Sequence, residues 1–410
     1  MGNFYLTLKE RGFIDQATDP EEMADWFDRQ TVKAYIGFDP TAESLHVGSL
    51  VPIMALAHLQ RHGQVPIALV GGGTALIGDP SGKKEMRPVL TYQEVAANAE
   101  GLKKQLSRYM ILDGTQGLLL NNLDWLKPLN YIEFLRDIGR HFSINRMLAA
   151  EAVKQRLETG LSFIEFNYQL LQAYDFLQLY EHQGCLLQMG GSDQWGNIVA
   201  GLELIRRVKG GKVYGLTFPL MVTSTGEKMG KTARGAVWLD GERTSPYEYY
   251  QFWINTSDED VGRFLPLFTF LPLEEIAELT RAGGANLRQA KEVLAFEATR
   301  ITHGEAEAEK ARVAAHRLFY GQGQDLAGMP ATVVSRERFQ AGGTEAYLLL
   351  VEAGLCRTRG EARRLIAQGG VYFQERRVPA FDHPVGLGDF QDGQILIRVG
   401  KKKYHRLLLS

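Results

Sequence analysis

An α/β architecture is predicted for this chain of 410 residues: a doubly wound parallel sheet, then an all-helical region and a small α+β tail. Three observations carry the prediction. Short apolar runs alternate with helical patterns through the first half. Glycine-rich turns at 46–49, 71–73 and 190–191 each follow an apolar run, where a parallel sheet places its ligand-binding edge. From residue 245 the periodicity becomes wholly helical, and beyond residue 344 it changes again to a short helix–turn–helix–strand pattern.

In order, residues 32–38 read as a strand that breaks at Asp39-Pro40, and 49–62 as a helix. A strand at 65–70, a long amphipathic helix at 91–109 and a strand at 118–120 follow. Helices then run through 131–175, with a strand at 185–189 and a helix at 193–208. The helical region divides into 246–254, 259–268, 272–281, 287–300 and 305–319. Residues 321–344, rich in Gly, Gln, Ala and Pro, read as a linker. The expected domains are therefore 1–244, 245–320 and 345–410.

This length exceeds one hydrophobic core, in keeping with two or three domains. The two cysteines, Cys185 and Cys356, form neither a disulfide framework nor a zinc spacing, which points to a reducing cytoplasm. No apolar run reaches the ~18 residues of a membrane span. Lys9, Glu10, Arg11 and Asp15 are wrong for a signal peptide. A soluble, cytoplasmic protein is expected. The net charge of −2 hides an asymmetry: residues 345–410 carry 11 Lys and Arg against 7 Asp and Glu, so a basic tail follows an acidic body. Such a tail suits a polyanion.

The stretch YIGFDPTAESLHVGS, residues 35–49, joins a strand, a polar turn and a helix start, where an anion can meet backbone N–H groups. His46 sets an imidazole beside that position, and Gly48 removes a side chain from the backbone. Gly78-Asp79-Pro80-Ser81-Gly82-Lys83-Lys84 invites a phosphate-loop reading but fails its spacing, since Ile77 and Lys84 stand where Gly and Ser or Thr belong. Asp79, Lys83, Lys84 and Arg87 still make a charged lip. His58 and His62 have the i, i+4 spacing of a zinc pair, without the Glu or a third ligand, so a solvated polar helix face is expected and no metal. Tyr168, Gln172 and Asp175 fall on one stripe of an otherwise apolar helix, as either an internal network or a pocket for a small polar ligand. Lys228 and Lys231 in KMGKT could meet a polyphosphate or be a solvated loop. Asp193, in GGSDQW, could accept from ribose hydroxyls or simply cap a helix.

Together, HVGS, GSDQ and KMGKT in that order resemble the class I aminoacyl-tRNA synthetases, with HVGS for their HIGH motif and KMGKT for KMSKS. ALIGDPSGKKEMR, FNYQLLQAYDF, QMGGSDQWGN and GAVWLD narrow the resemblance to bacterial-type tyrosyl-tRNA synthetases over essentially the full chain. The resemblance implies a Rossmann-like catalytic domain, a helical tRNA-side domain and an S-four-type RNA-binding tail. It implies that tyrosine attacks the α-phosphate of ATP and is then passed to the terminal adenosine of tRNA(Tyr). Thr41, His46, Lys83, Arg87, Lys228, Lys231 and Thr232 would surround the polyphosphate, with Mg2+ travelling on the ATP. Gly37, Asp39, Gly48, Ser49, Gly191 and Asp193 would contact the rest of the nucleotide. Tyrosine's ammonium would meet Asp79, Tyr168 and Gln172, and its phenol Tyr35 and Asp175; Gln194 and Asn122 match further positions at that pocket. Arg357, Arg359, Arg363, Arg364, Arg376 and Arg377 would face tRNA, with Lys401, Lys402 and Lys403 adding charge near the end, and a homodimer is expected. Ser49 departs from the motif's second His. A tryptophanyl-tRNA synthetase, a synthetase-like RNA-binding protein without turnover and a metabolite adenylyltransferase are the rival readings.

Overall fold

The computed structural model describes the chain apart from residues 1, 82–89, 225, 227, 228, 233, 234, 282–284, 321–328, 341, 342, 375, 401 and 402; at 151, 152, 155, 231, 232, 285, 286, 317–320 and 340 it describes the backbone alone. The chain forms two compact units. One comprises Met1–Thr244 with Phe252–Gly304, the other Ser245–Gln251 with Glu305–Ser410.

A six-stranded sheet organises the first unit. Its strands are β1 (Gln16–Ala17), β2 (Lys33–Phe38), β3 (Val65–Val70), β4 (Leu118–Asn121), β5 (Leu187–Gly191) and β6 (Tyr214–Phe218), in the order β1-β6-β5-β2-β3-β4. All neighbours are parallel except the short edge pair β1–β6. The chain builds outward from β2 through β3 to β4, then returns to the other side of β2 with β5 and β6. That reversal makes a topological switch point between β2 and β5, where the carboxyl ends of open parallel sheets bind ligands.

The helices explain the strands' apolar character. In chain order they begin with α1 (Phe4–Glu10), α2 (Pro20–Arg29), α3 (Leu50–Arg61), α4 (Tyr92–Leu106), α5 (Leu123–Leu126), α6 (Tyr131–Asp137), α7 (Ile144–Ala149), α8 (Glu151–Thr159), α9 (Phe163–Gln183) and α10 (Trp195–Lys209). Tyr35, Ile67 and Leu69 share a core with Ala173, Phe176 and Leu177 of α9 and Leu204 and Ile205 of α10. The pleat turns Ala34, Ile36, Ala68 and Val70 to the opposite face, and these too are buried. The reading of residues 91–109 as a helix resolves into α4 with Thr91 as its N-cap, reciprocally bonded to Glu94 in a capping box.

The helical region supplies α11 (Pro246–Ile254), α12 (Asp258–Phe268), α13 (Leu273–Thr280), α14 (Ala285–His303) and α15 (Glu305–Tyr320). It does not stand as a domain of its own: residues 252–304 group with the sheet unit, and 245–251 and 305–320 with the tail. Within the first unit, α12 packs on α3 and α14. The buried Arg11 guanidinium donates to the carbonyls of Pro266, Thr269 and Leu271, satisfying acceptors where α12 ends. This packing corrects the expectation for His58. It is 3 % exposed, against Phe13 and Phe270, so α3 has no solvated histidine face. Burial and the nearby Arg11 push its pKa down to about 2.

The second unit carries a five-stranded sheet and the helices α16 (Arg336–Gln340), α17 (Ala346–Glu352) and α18 (Arg359–Ala367). Two short antiparallel pairs complete the strand set: the hairpin of β7 (Lys231–Thr232) with β8 (Gly235–Ala236) in the first unit, and, in the second, Thr344–Glu345 with the distant Pro384–Val385. The tail strands are β9 (Ala331–Val334), β10 (Thr344–Glu345), β11 (Val371–Phe373), β12 (Arg376–Arg377), β13 (Pro384–Val385), β14 (Gln394–Val399) and β15 (Lys403–Leu409), and the sheet runs β12-β11-β14-β15-β9. Strand β9 lies inside the expected linker 321–344 and pairs in parallel with β15. Val334 and Phe339 are buried in the tail core with Leu349, Ile366, Ile395 and Leu407. Composition misled here because a four-residue strand completed by a distant partner carries almost no local signal.

Candidate active site

Strand β2 delivers Asp39 to the switch point, and the chain then turns through His46 into a 3-10 turn, Val47–Ser49, that starts α3. The Gly48 amide donates to His46 Nδ1 at 3.0 Å. That bond puts the neutral imidazole's proton on Nε2, so Nε2 is the donor it can offer an anion. A Cβ on Gly48 would stand 2.7 Å from His46 Cε1 and 3.1 Å from the Met229 carbonyl oxygen, and only glycine fits that approach. The HVGS turn and the segment after KMGKT are one hydrogen-bonded layer: Val47 N donates to Val237 O, Leu239 N to Leu45 O and Val237 N to Gly230 O. Trp238 sets its ring edge-on to His46 at 6.2 Å, beneath the Arg243 guanidinium. Ser49 occupies the N-cap of α3 without a side-chain capping bond.

A connected polar network runs inward from this edge. Tyr168 OH donates to Asp39 Oδ2 at 2.8 Å, and Thr74 Oγ1 donates to Asp39 Oδ1 at 2.7 Å. Asn122 Nδ2 bonds both Thr74 Oγ1 and Asp175 Oδ2, each at 2.9 Å, and Trp125 Nε1 donates to Asp175 Oδ1 at 2.7 Å. Both Asp175 oxygens thus have donors. The Tyr35 hydroxyl is buried with no hydrogen-bond partner among the described residues, and it does not bond Asp175. A second network adjoins the first. Asn197 Nδ2 donates to Gln172 and Gln194, Gln194 Nε2 donates to Asp79 Oδ2 at 2.8 Å, and Ser81 N donates to Asp79 Oδ1.

The electrostatics follow from three neighbouring carboxylates, Asp175 buried and Asp39 and Asp79 half-buried. Burial raises Asp175 to about 7, against the lowering pull of Asn122 and Trp125. Burial also raises Asp79 to about 6, with the Asp39 charge adding to the rise. Tyr168 and Tyr35 are pushed well up by burial and then by these carboxylates, so both stay protonated as donors. An accumulation of negative charge suits a cationic group, and the deep end offers an acceptor beside a hydroxyl with no partner among the described residues.

Asp39, expected beside the nucleotide, turns its carboxylate to Tyr168 and Thr74, on the side of Asp79 and Asp175. Arg363, exposed like its neighbour Arg364, also lays its guanidinium 4.3 Å over the Tyr347 ring and 5.2 Å over Phe381. Arg357, Arg359, Arg363, Arg364, Arg376 and Arg377 are all exposed on the second unit. The structure brings together Tyr35, Asp39, Asp79, Asn122, Tyr168, Gln172, Asp175 and Gln194. Gly37 is exposed in β2, and Thr41 donates its amide to Asp39 O. Gly191 precedes the 3-10 turn Ser192–Gln194, and a Cβ there would lie 2.5 Å from Asp193 Oδ1. Lys83, Lys84, Arg87, Lys228, Lys401 and Lys402 lie outside the described residues; Lys231 and Thr232 form β7. Trp125, Thr74, Ser81 and Asn197 were not singled out in the sequence. Trp125 sits on the four-residue helix α5, too short for any periodicity to mark it.

Comparisons with known proteins bear on this geometry. A family profile described as tRNA synthetases class I (W and Y) matches residues 28–320. A second, described as the tyrosine–tRNA ligase SYY-like C-terminal domain, matches 323–407. A tyrosine–tRNA ligase of Desulfatibacillum aliphaticivorans is 56 % identical over 427 residues, covering 100 % of this chain and 99 % of the relative. That of Acetivibrio thermocellus is 50 % identical, with 100 % of both chains covered. The chain belongs to the tyrosine–tRNA ligase family. Among solved structures, a C-terminally truncated mitochondrial tyrosyl-tRNA synthetase of Aspergillus nidulans is 33 % identical with a TM-score of 0.71, covering 78 % of this chain and 95 % of its own. A tyrosyl-tRNA synthetase of Archaeoglobus fulgidus complexed with L-tyrosine, 20 % identical with a TM-score of 0.58, shares the fold. Tryptophanyl-tRNA synthetases share the fold at lower identity, 11 % for that of Plasmodium falciparum. Membership in the tyrosine–tRNA ligase family carries the ligase activity expected from the sequence.

Proposed function

We propose that this ligase activates L-tyrosine with ATP at the β2–β5 switch point and passes it to the 3'-terminal adenosine of tRNA(Tyr). The Tyr35 hydroxyl and the Asp175 carboxylate at the closed end of the polar network carry the substrate assignment. A phenol donates to Asp175 and accepts from Tyr35, whereas phenylalanine leaves both buried groups unpaired. Tyrosine–tRNA ligases are the standing example of that asymmetry. The ammonium goes to Asp79, Tyr168 and Gln172, and the carboxylate is left facing the nucleotide edge.

In the first step a tyrosine carboxylate oxygen forms a bond to the α-phosphorus of ATP, and the bond from that phosphorus to the pyrophosphate oxygen breaks. No group on the enzyme becomes covalently attached. The work is alignment and stabilisation of the charge gathering on pyrophosphate. His46, donating through Nε2, and Thr41 meet the polyphosphate from one side, and Lys83, Arg87, Lys228, Lys231 and Thr232 from the other. Gly37, Gly48, Ser49, Gly191 and Asp193 border the nucleotide, with the backbone of Asp39 at the strand end. Mg2+ arrives with ATP as a substrate ion. Ser49 supplies one hydroxyl donor where the motif's second imidazole would stand.

In the second unit, exposed Arg357, Arg359, Arg363, Arg364, Arg376 and Arg377 suit the phosphates of tRNA. A homodimer is supported by apolar side chains exposed between residues 131 and 164, with Ile132 and Phe163 each at 70 %. The turn that presents Phe163 is held by a buried Arg156–Glu165 pair at 2.9 Å and by the capping box of Ser162 with Glu165. No helix among the described residues is long and apolar enough to cross a membrane. A cytoplasmic location fits translation and two buried cysteines outside any disulfide.

Tyrosine-dependent ATP–pyrophosphate exchange tests this reading, followed by charging of tRNA(Tyr). Exchange is expected with tyrosine and at background with phenylalanine or tryptophan. Exchange driven by tryptophan alone would overturn the substrate assignment, and none at all would favour an RNA-binding protein without turnover.

A further inference from the structure

The segment carrying KMGKT is tied at both ends, by different parts of the fold. Its outgoing limb is bonded to the HVGS turn through Val47 and Leu239, as described. Its incoming limb is held by α12. The Ser224 amide donates to Asp260 Oδ1 and Oδ2 at 3.1 and 2.9 Å, and Ser224 Oγ donates to Oδ2 at 3.0 Å. Arg263, one turn further along α12, donates to Asp260 Oδ1 at 2.8 Å and to the Val222 carbonyl at 2.5 Å. The Asp260 side chain is 4 % exposed and lies in the first turn of α12, where the helix dipole favours its charge. The limb is also closed across its base by Met229 N donating to Met221 O.

Two features separate this clamp from an ordinary helix cap. Its acceptor is spent on a limb some 36 residues earlier in the chain rather than on the helix's own amides. The helix that carries it is itself fixed at its far end by Arg11, so α12 is a rigid strut between the amino-terminal helix and the KMGKT segment. Displacing the limb would move Met229 and Gly230, whose backbone lies against Gly48 in the HVGS turn.

We propose that Asp260, braced by Arg263, is a positioning residue for tyrosine activation: it fixes the incoming limb at Val222–Ser224 and thereby the register in which the KMGKT segment meets the HVGS turn. The proposal rests on the reading of Lys228 and Lys231 as polyphosphate contacts. It acts on the transition state for adenylate formation and leaves the tyrosine pocket alone, because none of the pocket's described hydrogen bonds involves Asp260, Arg263 or Ser224.

The test uses the full chain and the variants Asp260→Ala, Asp260→Asn and Ser224→Ala. Adenylate formation is followed by rapid mixing, tyrosine affinity by equilibrium binding, and unfolding by thermal melt. Misplacement of a reacting group on the ångström scale costs up to about a hundredfold in rate, so Asp260→Ala is expected to lower kcat by roughly tenfold to a hundredfold. Asp260→Asn, which retains one acceptor, falls between it and Ser224→Ala, and the tyrosine Kd stays at the native value in all three. The decisive measurement repeats Asp260→Asn in a Lys231→Ala background, where a positioning effect routed through the segment shrinks to about twofold or less. A full, additive loss in that background, an unchanged kcat, or a loss matched in tyrosine affinity would each overturn the proposal. If Asp260→Ala does not fold, Asp260→Asn and Ser224→Ala carry the same comparison. A native chain without tyrosine-dependent exchange would instead sink the underlying reading, whatever the variants do.

Discussion

Lowering the pH from 7.5 to 5.5 is expected to weaken tyrosine binding by well over tenfold while leaving ATP affinity much less changed. Asp175 titrates at about 7 and Asp79 at about 6 in the unliganded fold, both raised mainly by burial. On the proposed assignment the bound complex needs both ionised, Asp79 to face an ammonium and Asp175 to accept a hydrogen bond from the phenol while Trp125 and Asn122 donate to it. Across this window the ionised fraction of Asp175 falls about twenty-five-fold and that of Asp79 about fourfold, near a hundredfold if the two are independent. The ammonium and carboxylate of free tyrosine do not titrate there, so the dependence belongs to the protein. Equilibrium binding by calorimetry or by intrinsic fluorescence, with Trp125 as a reporter beside Asp175, measures it at constant ionic strength. The sign for stability is opposite. Folded pKa values above those of free carboxylates mean that the native state binds extra protons, so the unliganded fold is favoured at low pH and loses that contribution as pH rises through about 6 and about 7. Saturating tyrosine should therefore raise the melting temperature more at pH 7.5 than at pH 5.5. A tyrosine Kd that is flat across the window would refute the assignment of these carboxylates to the amino acid.

Replacing Trp125 with Phe removes one of the two donors on Asp175 and is expected to cost about 1–3 kcal/mol of tyrosine affinity, read as Kd, with little change in ATP KM. Gly71→Ala would place a methyl 1.9 Å from Asp39 Oδ1 and 2.5 Å from Thr74 Oγ1, displacing the Asp39 carboxylate; tyrosine-dependent exchange should fall at least about tenfold, since a positioned pocket is lost on the ångström scale. Reversing charge at Arg359 and Arg364 should raise the KM for tRNA and flatten its salt dependence while pyrophosphate exchange stays native. Exchange that falls in parallel with charging would place those two residues elsewhere in the enzyme's work.

Much of the first unit is legible from the chain. Residues 65–70 become β3 with the same bounds, because a fully buried parallel strand is a continuous apolar run bracketed by turns. The stripe of Tyr168, Gln172 and Asp175 does face the site, since helical spacing fixes which residues share a face. What spacing cannot give is the partner. Asn122 and Trp125 reach Asp175 across about fifty residues of chain, and Ser224 reaches Asp260 across 36. His58 misled for a related reason: α3 is apolar almost all round because the helical region covers its outer side, and nothing in the sequence of α3 announces that cover. The same holds for β9, whose partner β15 lies some seventy residues on.

On the proposed assignment, the unliganded pocket is an unfavourable arrangement that its substrate completes. Asp39, Asp79 and Asp175 gather charge where burial opposes it, and Tyr35 keeps a hydroxyl out of water with no partner among the described residues. The donors Trp125, Asn122, Thr74, Tyr168 and Gln194 hold the three carboxylates in place without neutralising them. With tyrosine bound as proposed, its ammonium would offset the charge and its phenol would satisfy both Asp175 and Tyr35, so the same atoms that destabilise the free site would generate its selectivity. Phenylalanine could occupy that volume, but it would leave the Tyr35 hydroxyl unpaired and Asp175 desolvated by an apolar ring edge. On that assignment, selectivity for the hydroxyl is already present in the cost of the unliganded fold, and changes that relieve that cost at Tyr35 or Asp175 should stabilise the protein and blunt its discrimination together.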